Sequence, residues 1–259
     1  MKQACRNILL VISFLTSLSL FGEVKVIWHD VSDYEFADNL YLDEVTIKDG
    51  VERIGAYAFL GCKNLKRINL PESLKEIGEG AFRECESLER LVLPESIKVI
   101  PPYLCAWDTT LQTVILPADL KDIGRNSFAY CSNLQEINLP DGLKHIGPNA
   151  FSFCSKLKEI SVPDSMEELE SYAFSGCISL QKAKLPANSN MLGELIFTGC
   201  TNLREIICLS PSPPSLDCDS PLFDPLETEI WAQCRLVTLP GSADLFRKAP
   251  GWKSFYISY

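Results

Sequence analysis

The feature that most constrains the fold is a sequence pattern that repeats every 23 residues. Its clearest copy runs from Leu65 to Phe82 and has the form Leu-x-x-Ile-x-Leu-Pro-x-x-Leu-x-x-Ile-Gly-x-x-Ala-Phe. The pattern continues through seven units without an insertion. Its phenylalanine position holds Phe59, Phe82, Cys105, Phe128, Phe151, Phe174 and Phe197. Its cysteine position holds Cys62, Cys85, Asp108, Cys131, Cys154, Cys177 and Cys200. A constant period of this length is typical of a solenoid, in which stacked units bury one continuous core.

Each unit predicts a short strand, a sharp corner and one helical turn. Ile68 and Leu70 alternate with polar residues and are expected to point inward. Pro71 lacks an N–H group and is expected to end the strand. Glycine follows at Gly55, Gly78, Gly124, Gly147 and Gly193, where we expect a corner that uses a positive φ. The Ala-Phe pair after it is expected on a short helical turn, with the phenylalanine in the core.

The units resemble the BspA-like bacterial leucine-rich repeats of the Treponema pallidum type. The match covers Val45 to Glu205, and proline stands where the more familiar leucine-rich consensus has Asn or Cys. The segment from Val237 to Phe255 looks like the end of such arrays in secreted Bacteroides-type members. The resemblance implies a right-handed leucine-rich repeat solenoid of mainly short β-strands, capped at both ends. It also implies a secreted or surface-displayed protein that adheres to proteins of a host or neighbouring cell.

The sequence divides the chain into four segments. Residues 1–22 contain Lys2, Arg6 and a 13-residue apolar run without an acid, which is typical of a secretory signal. That run is shorter than the roughly 20 residues that span a bilayer, so we expect no transmembrane span in the mature chain.

Residues 23–44 are expected to cap the first unit, and residues 45–205 to hold the seven repeats. Residues 206–259 are expected to form a loop, a last strand and a capping helix from Ala243 to Lys248, with Ser242 as its N-cap. The protein is therefore expected to be secreted, periplasmic or on the cell surface.

The charge argues against nucleic acid as a partner. The formal net charge is −10, and removing the predicted signal would make it more negative, because the only charged residues in that segment are Lys2 and Arg6. A net acidic surface repels the phosphate backbone.

The eleven cysteines are interpreted as mostly structural. Those in the repeated position are expected to be buried free thiols, although stacking would bring neighbours within the range that a disulfide allows. Cys208, Cys218 and Cys234 lie outside that position, and a disulfide between two of them is left open. No Cys-x-x-Cys pair is present, and the acidic loop at Asp217, Asp219 and Asp224 is expected to bind nothing. We predict neither a metal nor a cofactor.

The third unit departs from the pattern, with Cys105 in the phenylalanine position and Asp108 in the cysteine position. A buried, unpaired carboxylate would be costly. One interpretation is a bulge that exposes Asp108 and lets Trp107 or Tyr103 fill the space. The other is sequence drift that the solenoid tolerates.

Catalysis has little support in the sequence. The two histidines, His29 and His145, lie in the predicted cap and in an outward repeat position. There is no Gly-x-Ser-x-Gly, His-Glu-x-x-His or phosphate-binding glycine loop. We therefore expect a protein that is not an enzyme.

The outward positions of the predicted strands are the candidate binding surface. They are Arg67, Asn69, Arg90, Val92, Thr113, Ile115, Glu136, Asn138, Glu159, Ser161, Lys182 and Lys184, continued by Glu205 and Ile207. Charge along this strip changes from basic through apolar to acidic and back to basic. Exposed apolar residues among charges often mark an interaction surface. We expect non-catalytic binding of a protein or glycoprotein; the alternatives are an envelope scaffold without a specific ligand and a carbohydrate-related accessory protein.

Overall fold

The computed structural model describes residues 22–187, 191–216, 222, 233–253 and 255–258. These residues wind into a parallel β-solenoid of about nine turns with little helix, and each turn is called a coil below. Most of the predicted signal segment, together with Cys218 and the acidic loop at Asp217, Asp219 and Asp224, lies outside the described residues.

Two parallel ladders of short strands form two walls of the stack. The first ladder holds β1 (Glu23–Ile27), β2 (Leu42–Ile47), β4 (Arg67–Asn69), β6 (Arg90–Val92), β8 (Thr113–Ile115), β11 (Glu159–Ser161), β13 (Lys182–Leu185), β15 (Glu205–Cys208), β17 (Arg235–Val237) and β18 (Tyr256–Ser258). The second holds β3 (Arg53–Ile54), β5 (Glu76–Ile77), β7 (Val99–Ile100), β9 (Asp122–Ile123), β10 (His145–Ile146), β12 (Glu168–Leu169), β14 (Met191–Leu192) and β16 (Ser215–Leu216). Between β2 and β15 the paired residues are 23 positions apart, as in Ile160 beside Ala183, so the sequence period is the strand register of the repeats.

The alternation predicted for the strands is confirmed. In β4, Arg67 and Asn69 are exposed while Ile68 between them is buried. β6 and β11 show the same pattern. One side of the first ladder therefore faces solvent along the stack, while the other side contributes to the core.

Stacked phenylalanine rings fill the core. Phe36, Phe59 and Phe82 stack with ring centroids 5.2 and 5.7 Å apart. Phe128, Phe151, Phe174 and Phe197 continue with spacings of 5.4, 5.4 and 6.0 Å. Because Cys105 stands between Phe82 and Phe128, the repeat position carries two separate ring stacks.

The segment that carries the Ala-Phe pair differs from the helical turn expected for it. It is a series of turns in which two residues, four positions apart, have positive φ, as at Tyr57 (54°) and Gly61 (67°). Every second amide donates to the next coil, as Tyr57 N–H does to Glu79 O at 2.7 Å and Phe59 N–H to Ala81 O at 2.8 Å, while intervening amides close turns within their own coil. Stacking supplies these partners, so no helix is needed to satisfy the backbone.

The corner glycines do not have the positive φ that the sequence led us to expect. A Cβ at Gly147 would lie 2.7 Å from the backbone nitrogen of Arg125 and 3.0 Å from the carbonyl carbon of Gly124. At Gly78 it would lie 2.5 Å from the carbonyl carbon of Gly55. Glycine suits these corners because the backbones of successive coils leave little room for a side chain, although Pro101 and Glu170 occupy the same position in two other units.

We expect Gly147→Ala to destabilise the protein by about 1–3 kcal/mol, because the methyl group would force adjacent coils apart. Gly241→Ala is the matched control, since a Cβ there meets no atom within 4 Å and the φ is not positive. Urea unfolding of both variants measures the difference. Equal stability of the two variants would contradict the close approach of the coils.

The third unit does not bulge, so the interpretation that exposes Asp108 is excluded and the one that remains is sequence drift tolerated by the solenoid. Asp108 is fully buried, and its Oδ1 accepts the Cys85 N–H at 2.7 Å while Oδ2 has no hydrogen-bond partner. Trp107 lies outside, stacked on Tyr130 at 5.2 Å, and Tyr103 is likewise half-buried. The cross-coil backbone bonds, such as Cys105 N–H to Ser127 O at 2.8 Å, hold this coil in register despite the unusual residues.

The expectation of free thiols is confirmed for the cysteines that the structure describes. All nine are buried, and eight of them, Cys208 and Cys234 included, are free; the ninth, Cys200, donates its thiol hydrogen to Phe174 O at 3.2 Å. In the repeated position, each thiol donates to a backbone carbonyl 26 residues earlier, as Cys154 does to Phe128 at 3.2 Å and Cys177 to Phe151 at 3.2 Å. Burial raises the pKa of the Cys154 thiol, so it stays protonated as a donor.

The last coil is closed by aromatic residues. Trp252 is fully buried, donates from Nε1 to Pro214 O at 3.1 Å and meets the Phe246 ring edge-on. Helix α1 (Ala243–Lys248) begins after Ser242, whose hydroxyl donates to Leu239 O at 3.1 Å and does not cap the helix. Within the described ranges, no helix has the length and apolar character needed to cross a bilayer.

Candidate binding face

The outward side of the first ladder forms a continuous surface, called the strand face below. All the predicted binding residues from Arg67 to Lys184 lie on it. Glu136 and Asn138 belong to a coil without a full strand, but Glu136 still forms a parallel bridge with Thr113. The geometry therefore brings the predicted residues together on one wall of the solenoid.

An apolar patch lies in the middle of this face. Val92 and Ile115 are direct neighbours in the register of β6 and β8. Their exposed fractions are 45% and 42%, although large aliphatic side chains are usually buried. The backbone beneath them is fixed by the ladder, so the patch is presented on a rigid support.

Two shallow cavities lie along the strand face, and Val92 of the patch itself lines the first of them. One, of about 630 Å³, is lined by Arg67, Asn69, Arg90 and Val92 among others. The other, of about 640 Å³, is lined by Glu136, Asn138, Glu159, Ser161, Lys182 and Lys184 among others. Thr113 and Ile115 lie between the two, so the strand face is a surface with a recess on each side of its apolar centre.

Ion pairs along the stack neutralise part of the charge predicted for the strip. Arg67 pairs with Glu44 of the preceding coil. Lys182 lies 3.1 Å from Glu205, which also pairs with Arg235. The hydrogen bonds from Arg235 and Lys182 lower the pKa of Glu205. In the part of the chain that the structure describes, Arg90 and Glu136 have no ion-pair partner within 4.0 Å, which leaves their charges available beside the apolar patch.

Two further clusters were not found from the sequence. Trp107, Tyr130 and Phe153 form a row of stacked rings on the outer turns, with centroids 5.2 and 4.7 Å apart. The Arg83 guanidinium lies 4.6 Å from the centroid of Trp107. These three residues are 23 positions apart, so aligning the units and comparing the residues at that repeat position could have predicted the row.

The second cluster surrounds His145 on the outward side of the second ladder. Its Nε2 lies 2.6 Å from Glu170 Oε1 and 3.9 Å from Glu168 Oε2, and its Nδ1 lies 3.7 Å from Asp122 Oδ1. Asp122, His145 and Glu168 occupy the same position in three successive units. The 23-residue register alone could have placed them side by side.

The comparisons with known proteins agree with this structure. The model of the BspA type leucine rich repeat region matches residues 29–156 and 121–212, in six copies. No curated protein gives a significant sequence match. The family match covers most of the chain, so the protein belongs to the BspA-type leucine-rich repeat family. Such repeats generally mediate protein interaction and are typically non-enzymatic scaffolds.

Several solved structures are similar to this chain. The T. pallidum leucine rich repeat protein TpLRR is 27% identical, with a TM-score of 0.51 over 70% of this chain and 78% of that one. A leucine rich cell surface protein from Faecalibacterium prausnitzii is 19% identical over 91% and 87% of the two chains, with a TM-score of 0.44. The pneumococcal vaccine antigen PcpA is 24% identical over 88% and 70%, with a TM-score of 0.48. The first of these supports the leucine-rich repeat solenoid.

Proposed function

We propose that the strand face binds a protein or glycoprotein of a host or neighbouring cell, without catalysis, and that the protein acts outside the cell membrane. The observation that carries this proposal is the exposed pair Val92 and Ile115 on a rigid ladder between two recesses. Family members typically are secreted or lie on the cell surface, which supports the location. In this proposal residues 1–22 are the export signal, and residues 23–44 and 206–259 close the two ends of the repeats.

The mechanism of binding is surface complementarity. A partner that covers Val92 and Ile115 removes apolar area from water, which contributes about 25 cal/mol per Å². Arg90 and Glu136 supply opposite charges along one edge of the patch, in the same column as Thr113, and orient the partner. Because the ladder fixes the backbone, binding orders few groups and loses little conformational entropy.

A binding screen tests this function. The purified protein would be screened against arrays of host extracellular proteins, bacterial surface proteins and glycans. We expect a protein or glycoprotein target. Binding to glycans alone would support a carbohydrate-related role, and the absence of any target on the arrays would support a scaffold without a specific ligand.

We expect the double variant Val92→Lys, Ile115→Lys to bind the target about tenfold or more weakly, because two charges would replace the centre of the interface. Val99→Lys is the matched control: Val99 is 54% exposed on β7 of the second ladder, away from the strand face. Affinity by calorimetry and melting temperature would be measured for all variants. Unchanged affinity in a folded double variant would overturn the assignment of the strand face.

A further inference from the structure

The strongest unassigned feature of the molecule is the His145 cluster on the second ladder. His145 on β10 pairs in register with Asp122 on β9 and with Glu168 on β12. One ligand atom each from His145, Glu168 and Glu170 all lie within 4.8 Å of one another. Ligands held about 2.1 Å from a tetrahedral ion are about 3.4 Å apart, so small side-chain movements would bring these three around one ion.

From this geometry we propose that His145, Glu168 and Glu170 bind a divalent transition metal ion, Zn²⁺. One imidazole nitrogen and two carboxylate oxygens are ligands that Zn²⁺ accepts. A water molecule completes the fourth position. The site lies on the second ladder and goes beyond the proposed function of the strand face.

Asp122 completes the site from behind the imidazole. Its Oδ1 lies 3.7 Å from His145 Nδ1, on the opposite side of the ring from the two glutamates. A metal-binding histidine usually donates its other N–H to a carboxylate, which fixes the tautomer and directs the free nitrogen to the metal. At 3.7 Å this contact is longer than a hydrogen bond, so in the metal-bound protein Asp122 would move closer to accept the Nδ1 proton, and Zn²⁺ would replace the contact between Nε2 and Glu170 Oε1.

The charge of the cluster favours a cation. Asp122, Glu168 and Glu170 surround a single imidazole, and among the residues that the structure describes none of the three carboxylates pairs with a lysine or arginine within 4.0 Å. Protonation of His145 would balance only one of the three negative charges. A divalent ion would reduce the remaining repulsion between these carboxylates.

Glu170 provides a separate argument, because it breaks the repeat pattern. It occupies the corner position that is glycine at Gly124, Gly147 and Gly193, where the coils approach closely. Its side chain is half-buried and points back to His145, with Oε1 2.6 Å from Nε2. Pro101 also departs from glycine at this position, but Glu170 in addition reaches the histidine of the ladder, which favours a ligand over drift.

The test is a Zn²⁺ titration of the chelator-treated protein by calorimetry, with X-ray absorption to identify the bound atoms. We expect one Zn²⁺ per chain with nitrogen and oxygen ligands and without sulfur. His145→Ala and Glu170→Gly are expected to weaken binding at least about tenfold, and Asp122→Asn by about 10–100-fold. Glu170→Gly restores the glycine of the repeat, so this variant is expected to fold at least as well as the parent protein.

His29→Ala is the matched control. His29 also lies near a carboxylate, 3.7 Å from Glu35 Oε1, but among the described residues it belongs to no group of three possible metal ligands. Its Zn²⁺ affinity is expected to equal that of the parent. The proposal is overturned by the absence of stoichiometric binding up to about 1 mM. It is also overturned by sulfur ligation, or by a folded Glu170→Gly variant that binds Zn²⁺ as tightly as the parent.

Discussion

Phe151→Ala is expected to lower the free energy of unfolding by about 3–5 kcal/mol. Phe151 is fully buried, and its ring stacks between Phe128 and Phe174 at 5.4 Å on each side. Its removal loses the transfer free energy of the ring, leaves a cavity and breaks two aromatic contacts. Because each coil contacts only its neighbours, the loss falls on the interfaces that join the coils before and after it.

Phe153→Ala in the same coil is the matched control. Phe153 has 43% of its side chain exposed and stacks on Tyr130 at 4.7 Å, outside the core. We expect a loss of about 1 kcal/mol, the contribution of one aromatic contact. Urea unfolding followed by circular dichroism measures both variants. Equal losses at the two positions would show that the ring stack is not the core of the solenoid.

Asp108→Cys is expected to stabilise the protein. The substitution restores the repeated cysteine and removes the carboxylate oxygen that has no partner, a gain of about 1–3 kcal/mol. The Cys85 N–H donates to Asp108 Oδ1 and would lose this partner, but it keeps its bond to Phe82 O at 3.3 Å. The new thiol at position 108 would donate to Phe82 O, as the other thiols in the repeated position donate to the carbonyl 26 residues earlier.

The gain is expected to depend on pH. Burial raises the pKa of Asp108 well above its ordinary value, so the folded state holds the proton more tightly than the unfolded chain does. The protonated Asp108 carboxyl group therefore makes its full contribution to stability below about pH 3.9, the pKa of an aspartate in the unfolded chain. That contribution is lost as the pH rises toward the higher pKa that Asp108 has in the folded protein. The loss approaches about 1.4 kcal/mol per pH unit in that interval. Asp108→Cys removes this dependence, and its advantage over the parent grows with pH.

Denaturation at a series of pH values above 4 measures this difference. Asp119→Asn is the control, because Asp119 has 76% of its side chain exposed and its only described ion pair is with Lys98 at 3.4 Å. The control is expected to follow the parent across the series. A less stable Asp108→Cys protein at neutral pH would contradict the account of the buried carboxyl group.

The sequence was sufficient for the fold because one pattern repeats without an insertion. The spacing between Phe151 and Phe174 predicts that the two residues stack, and the alternation around Ile68 predicts which side chains face outward. It was not sufficient for the turns. The amide of Phe59 bonds to the next coil, and such contacts between coils cannot be deduced from the preference of a single segment for helix. For the same reason, the role of Gly147 depends on a neighbouring backbone.

The candidate sites divide in the same way. The strand face was predicted because strand alternation places Val92 and Ile115 outward. The His145 cluster was missed because its members are ordinary polar residues until the coils are stacked. The position of Asp108 stayed open between two interpretations, because a buried carboxylate is costly in isolation. The cross-coil bonds hold the backbone of the third unit in register with that carboxyl group buried.

Hydroxyl-radical footprinting of the protein with and without its captured target shows whether the strand face is the binding surface. We expect the target to slow oxidation of Val92 and Ile115 on the strand face. Oxidation of Val99 on the second ladder and of Phe153 on the outer turns is expected to stay unchanged. Protection of Val99 or Phe153 with unprotected Val92 and Ile115 would contradict the claim and place the binding surface elsewhere on the solenoid.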